Sequence, residues 1–191
     1  MSNDYAELSD GDLAALSVAG RQIAFAEIVR RHREPLYRII VANVADADEA
    51  LDLVQETFVA AYRALRRYDA VRPMRGWLIT IALNKCRDWA RRRKVRRILS
   101  FALPLDGAAE AVAEDRPLHD IEAADREELV RTRRAIAALP ATLREVLVLR
   151  AIDGQSQAEA AATLGVTEKA IETRLRRARA KLAEQLDRDP R

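Results

Sequence analysis

Apolar residues recur at intervals of three and four along most of the chain, which is the spacing of an amphipathic α-helix. One stripe runs through Phe25, Ile28, Val29, Leu36, Ile39 and Ile40, and a second through Leu51, Val54, Phe58, Ala61, Tyr62 and Leu65. Asp46 precedes the second stripe, where its carboxylate can accept hydrogen bonds from the first free backbone amides of a helix. The pattern predicts helices on both sides of Asp46, a loop over 68–73 and a further helix over about 74–97.

The pattern changes between residues 98 and 128. This segment holds nine acidic and two basic residues, a net charge of −7, and Pro104, Gly107 and Pro117 interrupt any helix. Such a composition is typical of a flexible linker. We predict an all-α protein with a first domain over 10–97, an acidic flexible linker over 98–126 and a second domain over 127–187. We expect the two domains to share no large core.

The segment 156–182 has the pattern of a helix-turn-helix. Ser156 and Glu159 have the spacing of a capping box, and Gly165 suits the turn. A second, basic helix starts at Thr167. In this motif the first turns of the second helix lie in the major groove of DNA. The second domain is therefore predicted to bind DNA.

Composition agrees with an all-helical chain and limits the kinds of site. Of 191 residues only 5% are aromatic, whereas strands favour aromatic and β-branched residues. Cys86 is the single cysteine, so we predict no disulfide, no metal site and no other cofactor. The chain has no apolar stretch long enough to span a bilayer, and its acidic N-terminus does not resemble a signal peptide. We expect a cytoplasmic protein that is not itself embedded in a membrane.

Catalytic motifs are absent from the sequence, which has no P-loop, no GxGxxG, no HExxH and no nucleophile elbow. We therefore predict that the protein is not an enzyme. It should have no catalytic residues and no small-molecule substrate.

Dense positive charge lies on two of the predicted helices, although the net charge of the chain is only +3. The first carries eight bases and one acid over 84–97, with six of the bases within 91–97. The second carries Lys169, Arg174, Arg176, Arg177, Arg179 and Lys181. A solvated surface, or bases that complement the dipole of the second helix, would be a purely structural explanation. The density of unopposed bases favours contact with nucleic acid, because arginine forks suit phosphate oxygens.

Three segments in this order resemble a bacterial RNA polymerase sigma factor of the extracytoplasmic-function (ECF) group, within the sigma-70 family. DEALDLVQETFVAAYRAL, residues 48–65, resembles the helix that docks on the β′ clamp coiled coil of core RNA polymerase. PMRGWLITIALNKCRDWARRRK, residues 73–94, resembles the element that melts and recognises the −10 promoter region. Residues 139–182 resemble the domain that recognises the −35 region and binds the β flap. GQSQAEAAATLGVTEKAIE, residues 154–172, resembles the subgroup that controls cobalt and nickel resistance.

The resemblance implies roles for particular residues. Contacts with core polymerase fall on Asp52, Gln55, Glu56 and Val59. Contacts with −10 DNA fall on Tyr68, Trp77, Asn84, Lys85, Arg87, Arg91, Arg92 and Arg93, and the loop 68–73 would shape a pocket for a flipped base. Contacts with −35 DNA fall on Thr167, Glu168, Lys169, Glu172, Thr173, Arg176 and Arg177.

The resemblance also implies a regulatory partner, an anti-sigma factor that holds the protein inactive and can tether it to the membrane. One residue departs from the family pattern, since many members carry a base where this chain has Glu172. We expect an altered base preference there, because a glutamate can accept a hydrogen bond from cytosine N4.

Two other kinds of protein would share part of this pattern. A sigma mimic binds only an anti-sigma factor, and it would not need the dense bases of either helix. A stand-alone helix-turn-helix regulator would leave the first 97 residues without an explanation.

Overall fold

A computed structural model describes residues 5–102 and 123–188 of the chain. In these ranges the backbone forms eight α-helices: α1 Asp10–Val18, α2 Gln22–Val44, α3 Ala47–Ala64, α4 Met74–Ala102, α5 Ala123–Ala138, α6 Ala141–Leu147, α7 Gln157–Leu164 and α8 Glu168–Arg188. Short 3₁₀ turns cover Tyr5–Glu7 and Leu65–Arg67, and a π-helical turn covers Val148–Ile152. The all-α prediction is confirmed for the described residues.

The first unit, α1 to α4, is built around the apolar stripe of α3. Leu53, Val54, Phe58 and Ala61 are buried against α2 and α4, as the spacing predicts. Asp46 caps α3, and its Oδ1 accepts a hydrogen bond from the Glu49 amide at 3.0 Å. The loop predicted over 68–73 joins the 3₁₀ turn to α4. Capping and burial together fix which face of α3 remains outside.

The second unit, α5 to α8, contains the predicted helix-turn-helix. Ser156 and Glu159 form a complete capping box, with the Ser156 amide donating to Glu159 Oε2 at 2.7 Å. Gly165 ends α7 in the left-handed region at φ 65°, where a side chain would be strained. Thr167 Oγ1 accepts from the Ala170 amide at 3.2 Å and so starts α8. The local prediction is confirmed for both helices.

The two units share one hydrophobic core, and our expectation of separate cores was wrong. Val146, Val148 and Leu149 pack in the same cluster as residues of α2 and α4, whereas Leu147 packs towards Ala178 of α8. Four consecutive apolar residues point to several sides of a helical segment, so one neighbour cannot cover them all. The second unit covers one side and the first unit covers the other.

The acidic linker is only partly within the described residues. Helix α4 continues to Ala102 and α5 begins at Ala123, so helix occupies both ends of the predicted range 98–126. Residues 103–122 lie outside the described residues. Among the helices that the structure describes, none combines the length and apolar character required to cross a bilayer.

Candidate polymerase and promoter interfaces

The outer face of α3 carries the residues predicted to bind polymerase. Asp52, Gln55 and Val59 are exposed, Val59 by 50%, and Glu56 is half-buried beside them. Their spacing places them on one side of the helix, opposite the buried stripe. Glu56 Oε2 accepts a hydrogen bond from Lys85 Nζ of α4 at 3.0 Å. Lys85, predicted to contact DNA, is therefore joined to the predicted polymerase face.

An aromatic pair stands at the start of α4. The rings of Tyr68 and Trp77 lie 5.1 Å apart and are tilted by 44°. Tyr68 Oη donates to the Arg72 carbonyl at 2.6 Å, which closes the 68–73 loop on itself. Burial raises the pKa of Tyr68, with smaller contributions from the carboxylates of Asp10 and Asp69. The phenol therefore stays neutral and keeps its proton in the bond to the Arg72 carbonyl.

Arginines crowd the exposed end of α4. The Arg93 guanidinium lies 5.1 Å from the ring centroid of Trp89, a cation–π contact that orders the side chain. Arg91 pairs with Asp88, and this bond lowers the pKa of Asp88. Arg92 is exposed on the same helix. The predicted phosphate contacts thus lie together on the surface of α4.

Arg87 is bound by the second unit and also binds Asn84 of its own helix. Arg87 donates Nε to Glu145 Oε1 and Nη2 to Glu145 Oε2, both at 2.7 Å. The same guanidinium donates Nη1 to Asn84 Oδ1 at 2.9 Å. The hydrogen bond with Glu145 is the main cause that raises the pKa of Arg87. One predicted −10 contact, Arg87, is therefore engaged with a carboxylate of α6, and a second, Asn84, is bound to Arg87.

A second ion pair joins the units beside a groove. Arg75 of α4 binds Asp153, whose side chain is only 2% exposed. Thr80 Oγ1 also lies 3.2 Å from the Thr163 carbonyl. The groove has a volume of about 870 Å³, and both units line it, with Trp77 on one side and Gly165 on the other.

A third polar contact lies deeper between the units. Arg144 Nε donates to Asn43 Oδ1 at 3.3 Å, and burial lowers the pKa of Arg144. Cys86 is buried nearby, and burial raises the pKa of its thiol to about 12. No local pattern in the sequence predicts these pairings.

The outer face of α8 carries the predicted −35 set. Glu168, Lys169, Glu172, Arg176 and Arg177 are exposed, as is Thr167 just before the helix, and Thr173 is half-buried. Lys169 Nζ donates to Glu172 Oε2 at 2.9 Å, and this hydrogen bond lowers the pKa of Glu172. Ile171 and Ala178 are fully buried on the opposite side. The arrangement presents acids and bases together on one accessible helix face.

Comparison with known families accounts for both units. The model described as Sigma-70 region 2 matches residues 28–96, and the model described as Sigma-70, region 4 matches residues 129–182. The matches follow the order of the two units and together cover more than half of the chain. The chain belongs to the sigma-70 family.

Curated relatives place this sigma factor in the ECF group. RNA polymerase sigma factor CnrH from Cupriavidus metallidurans is 44% identical over 96% of this chain and 97% of its own length. NccH from Alcaligenes xylosoxydans is 37% identical over 91% of this chain and 92% of its own length. The ECF sigma factor SigM from Mycobacterium tuberculosis is 34% identical over 93% of this chain and 84% of its own length. The likeness to CnrH and NccH agrees with the subgroup resemblance of residues 154–172.

Solved structures are similar to this sigma factor over nearly its whole length. CnrH in complex with the cytosolic domain of CnrY has a TM-score of 0.68 and 38% identity, covering 95% of this chain and 99% of that one. The sigma factor RpoE in complex with the anti-sigma factor NepR, from Bartonella quintana, has a TM-score of 0.65 and 26% identity. The match covers 87% of this chain and 98% of that one. Sigma factors are transcription initiation factors. Membership of this family agrees with the two basic helices of the chain.

Cys86 of the sigma factor should react with thiol reagents only after unfolding. A thiolate is the reacting species, and a free cysteine has a pKa of about 8.5. Because burial raises the folded pKa of Cys86 to about 12, the folded thiol stays protonated as pH rises past the unfolded value. Ellman's reagent at pH 8 should therefore modify the native protein at least about a hundredfold more slowly than the protein in denaturant.

A matched control places the cysteine at an exposed position. The variant Cys86→Ala with Val71→Cys should react fast in the native state, because residue 71 is exposed in the loop. Fast modification of native Cys86 would mean that the contact between the units opens readily.

Proposed function

We propose that this sigma factor binds core RNA polymerase and directs promoter-specific initiation, recognising the −10 region through α4 and the −35 region through α8. The observation that carries the proposal is the presence of both family regions in order, each with an exposed basic helix in its own unit. Charge alone would give binding without sequence preference. The two helices add side chains that can distinguish bases.

Docking on polymerase is assigned to the outer face of α3. Asp52, Gln55, Glu56 and Val59 combine charge, amide and apolar surface on one side of a helix whose other side is buried. A rigid, amphipathic helix face suits a partner such as the β′ clamp coiled coil. The second unit would bind the β flap.

Strand capture at −10 is assigned to the start and middle of α4. Extruding a base costs a few kcal/mol, which stacking on an aromatic ring and contacts to phosphates can offset. Tyr68 and Trp77 supply the rings, Asn84 supplies an amide, and Arg87, Arg91, Arg92 and Arg93 supply the charge. Lys85 would join this set when its bond to Glu56 breaks.

Regulation is assigned to an anti-sigma factor. CnrH and RpoE were both solved with a partner protein, named as the cytosolic domain of CnrY and as the anti-sigma factor NepR. In this chain the groove of about 870 Å³ spans both units, so one partner segment could contact both at once. Where that partner is membrane-bound, the sigma factor would be held at the cytoplasmic face of the membrane.

Run-off transcription tests the proposal directly. Purified core polymerase, with and without the sigma factor, would be incubated with fragmented genomic DNA and nucleotides, and transcript ends would be mapped. We expect discrete start sites that depend on the protein and share two upstream elements. A folded protein that yields no such transcripts with an active core would favour a sigma mimic or a stand-alone regulator.

Replacing Gln55 and Glu56 together by Ala should weaken binding to core polymerase. Truncating a central interface residue costs about 1 kcal/mol or more, so we expect the double substitution to lower affinity by about thirtyfold. The measurement is a titration of labelled core polymerase with each variant. The matched control is Gln22→Ala with Glu34→Ala, which removes one amide and one carboxylate from exposed positions of α2. Equal affinities of both variants would remove the docking assignment.

Replacing Glu172 by Lys should change the preferred −35 sequence. In the native protein the Glu172 carboxylate binds Lys169, so the substitution removes an acceptor and frees a second base. We expect a shift away from cytosine towards guanine at the contacted position. Selection from a library randomised over the −35 element measures the preference.

The control for this substitution is Glu184→Lys, which makes the same charge change at an exposed position of α8. It should strengthen DNA binding generally and leave the preferred sequence unchanged. If both variants selected the same sequences as the native protein, Glu172 would have no role in base recognition.

A further inference from the structure

The segment that precedes the family match is bound to α2. The match to Sigma-70 region 2 begins at residue 28, so the 3₁₀ turn Tyr5–Glu7 and α1 lie outside it. Arg31 of α2 donates Nη2 to the Tyr5 carbonyl at 3.0 Å and Nη1 to the Leu8 carbonyl at 2.8 Å. Because a guanidinium presents five N–H donors in a fixed fork, one arginine can hold several carbonyls in place. Arg31 therefore fixes the path of the chain into α1.

Asp10 joins the first turn of α1 to the same helix. Its Oδ1 accepts a hydrogen bond from Arg31 Nη1 at 3.2 Å, and its Oδ2 lies 2.8 Å from His32 Nε2. The His32 side chain is only 12% exposed at this contact. Ser9 caps α1, and its Oγ accepts from the Asp12 amide at 3.1 Å. The first turn of α1 therefore has a fixed position on α2.

The same turn touches the loop 68–73. A Cβ built on Gly11 would lie 3.4 Å from Ala70 Cβ, which is ordinary van der Waals contact. A β-branched side chain at position 11 would therefore displace Ala70, because packed groups do not interpenetrate. The Asp10 carboxylate also contributes to the raised pKa of Tyr68, as a charge close to the phenol would. The start of α1 and the loop thus form one packed surface.

Hydrogen bonds within the loop set its shape. Tyr68 Oη donates to the Arg72 carbonyl at 2.6 Å, and the Val71 amide donates to Asp69 Oδ1 at 3.1 Å. The Arg72 amide donates to the Asp69 carbonyl at 2.9 Å. Bonds of this kind do not fix the distance between the loop and the helices around it. Contact with Gly11 adds a restraint from outside the loop.

We propose that Asp10 and Gly11 are positioning residues for base selection at −10, which hold the loop 68–73 in place beside Trp77 without touching DNA themselves. The inference rests on the proposed function, because that function assigns Tyr68 and Trp77 to the −10 strand. A binding site discriminates well when its walls are held within about 0.5 Å of their working positions. Base selection then depends on residues that precede the family match.

The first test changes the size of the contact between α1 and the loop. Gly11→Val adds a branched side chain against Ala70, Ala70→Gly removes the methyl group opposite, and a double variant combines the two. The matched control is Ala15→Val, at an exposed position one turn further along α1.

A promoter mapped by run-off transcription supplies the template, randomised over its −10 element with the −35 element unchanged. Each variant transcribes this library with core polymerase, and the transcripts are sequenced. The quantity compared is the ratio of transcripts from the most and the least preferred base at the most selective −10 position. Melting temperatures are measured alongside.

We expect Gly11→Val to lower this ratio at least about fivefold, because displacing a contact by about 1 Å can remove most of its effect. The double variant should recover to within about twofold of the native ratio, because residues in contact are energetically coupled. Ala15→Val should match the native protein. A purely structural role would lower the melting temperature and total transcription but leave the ratio unchanged.

Two results of this test would overturn the inference. In one, Gly11→Val keeps the native ratio. In the other, the double variant is as stable as the native protein but as unselective as Gly11→Val.

The second test decides the matter if Gly11→Val does not fold. Asp10→Asn keeps the side-chain size and weakens the bonds to Arg31 and His32, because a neutral amide replaces the carboxylate. Its matched control is Glu7→Gln, which removes an exposed carboxylate nearby. We expect Asp10→Asn to lower the −10 ratio at least about twofold relative to Glu7→Gln, since the turn that carries Gly11 is then held less firmly. Equal ratios would remove Asp10 from the assignment, and with it the inference where Gly11→Val is unfolded.

The two proposals fail in different ways. If the native protein gives no promoter-dependent transcripts with core polymerase, the proposed function falls and the inference falls with it. If the native protein transcribes selectively and the −10 ratio stays unchanged in both tests, only the inference falls.

Discussion

The arrangement of the molecule depends on one apolar segment, residues 146–149, at the end of α6 and the start of the π-helical turn. Other helices must cover this segment. Val146, Val148 and Leu149 pack with the first unit, and Leu147 packs towards α8. Since this segment is apolar on several sides, it is stable only when helices lie on each of them. The cluster that buries it is formed by residues of both units, from α2 and α4 as well as from α7 and α8.

This packing determines which interfaces face solvent in the closed molecule. The outer faces of α3 and α8 both remain accessible, so polymerase docking and −35 contact are compatible with it. The middle of α4 is different, because Arg87 is occupied by Glu145 and Asn84 is bound to Arg87. In this arrangement the Arg87 guanidinium is therefore already bound within the protein.

Local features were predictable from the sequence, whereas long-range pairings were not. The caps at Asp46 and Ser156 and the turn at Gly165 are confirmed, because each depends on residues within a few positions of one another. Periodicity also identified the buried face of α3. Arg87 and Glu145 are 58 positions apart. The periodicity of a helix predicts its buried face but not which other helix packs on that face. The shared core was missed for the same reason.

The bond between Lys85 and Glu56 links the residues of the two proposed binding events. One residue lies on the proposed polymerase face and the other in the proposed strand-binding set, and each neutralises the other at 3.0 Å. If polymerase bound Glu56 as proposed, Lys85 would lose its partner carboxylate and would bind a phosphate more readily. By reciprocity, DNA bound to Lys85 would then strengthen the affinity of Glu56 for polymerase by the same factor. Under the proposed function, a single side-chain contact would therefore make polymerase binding and strand capture cooperative.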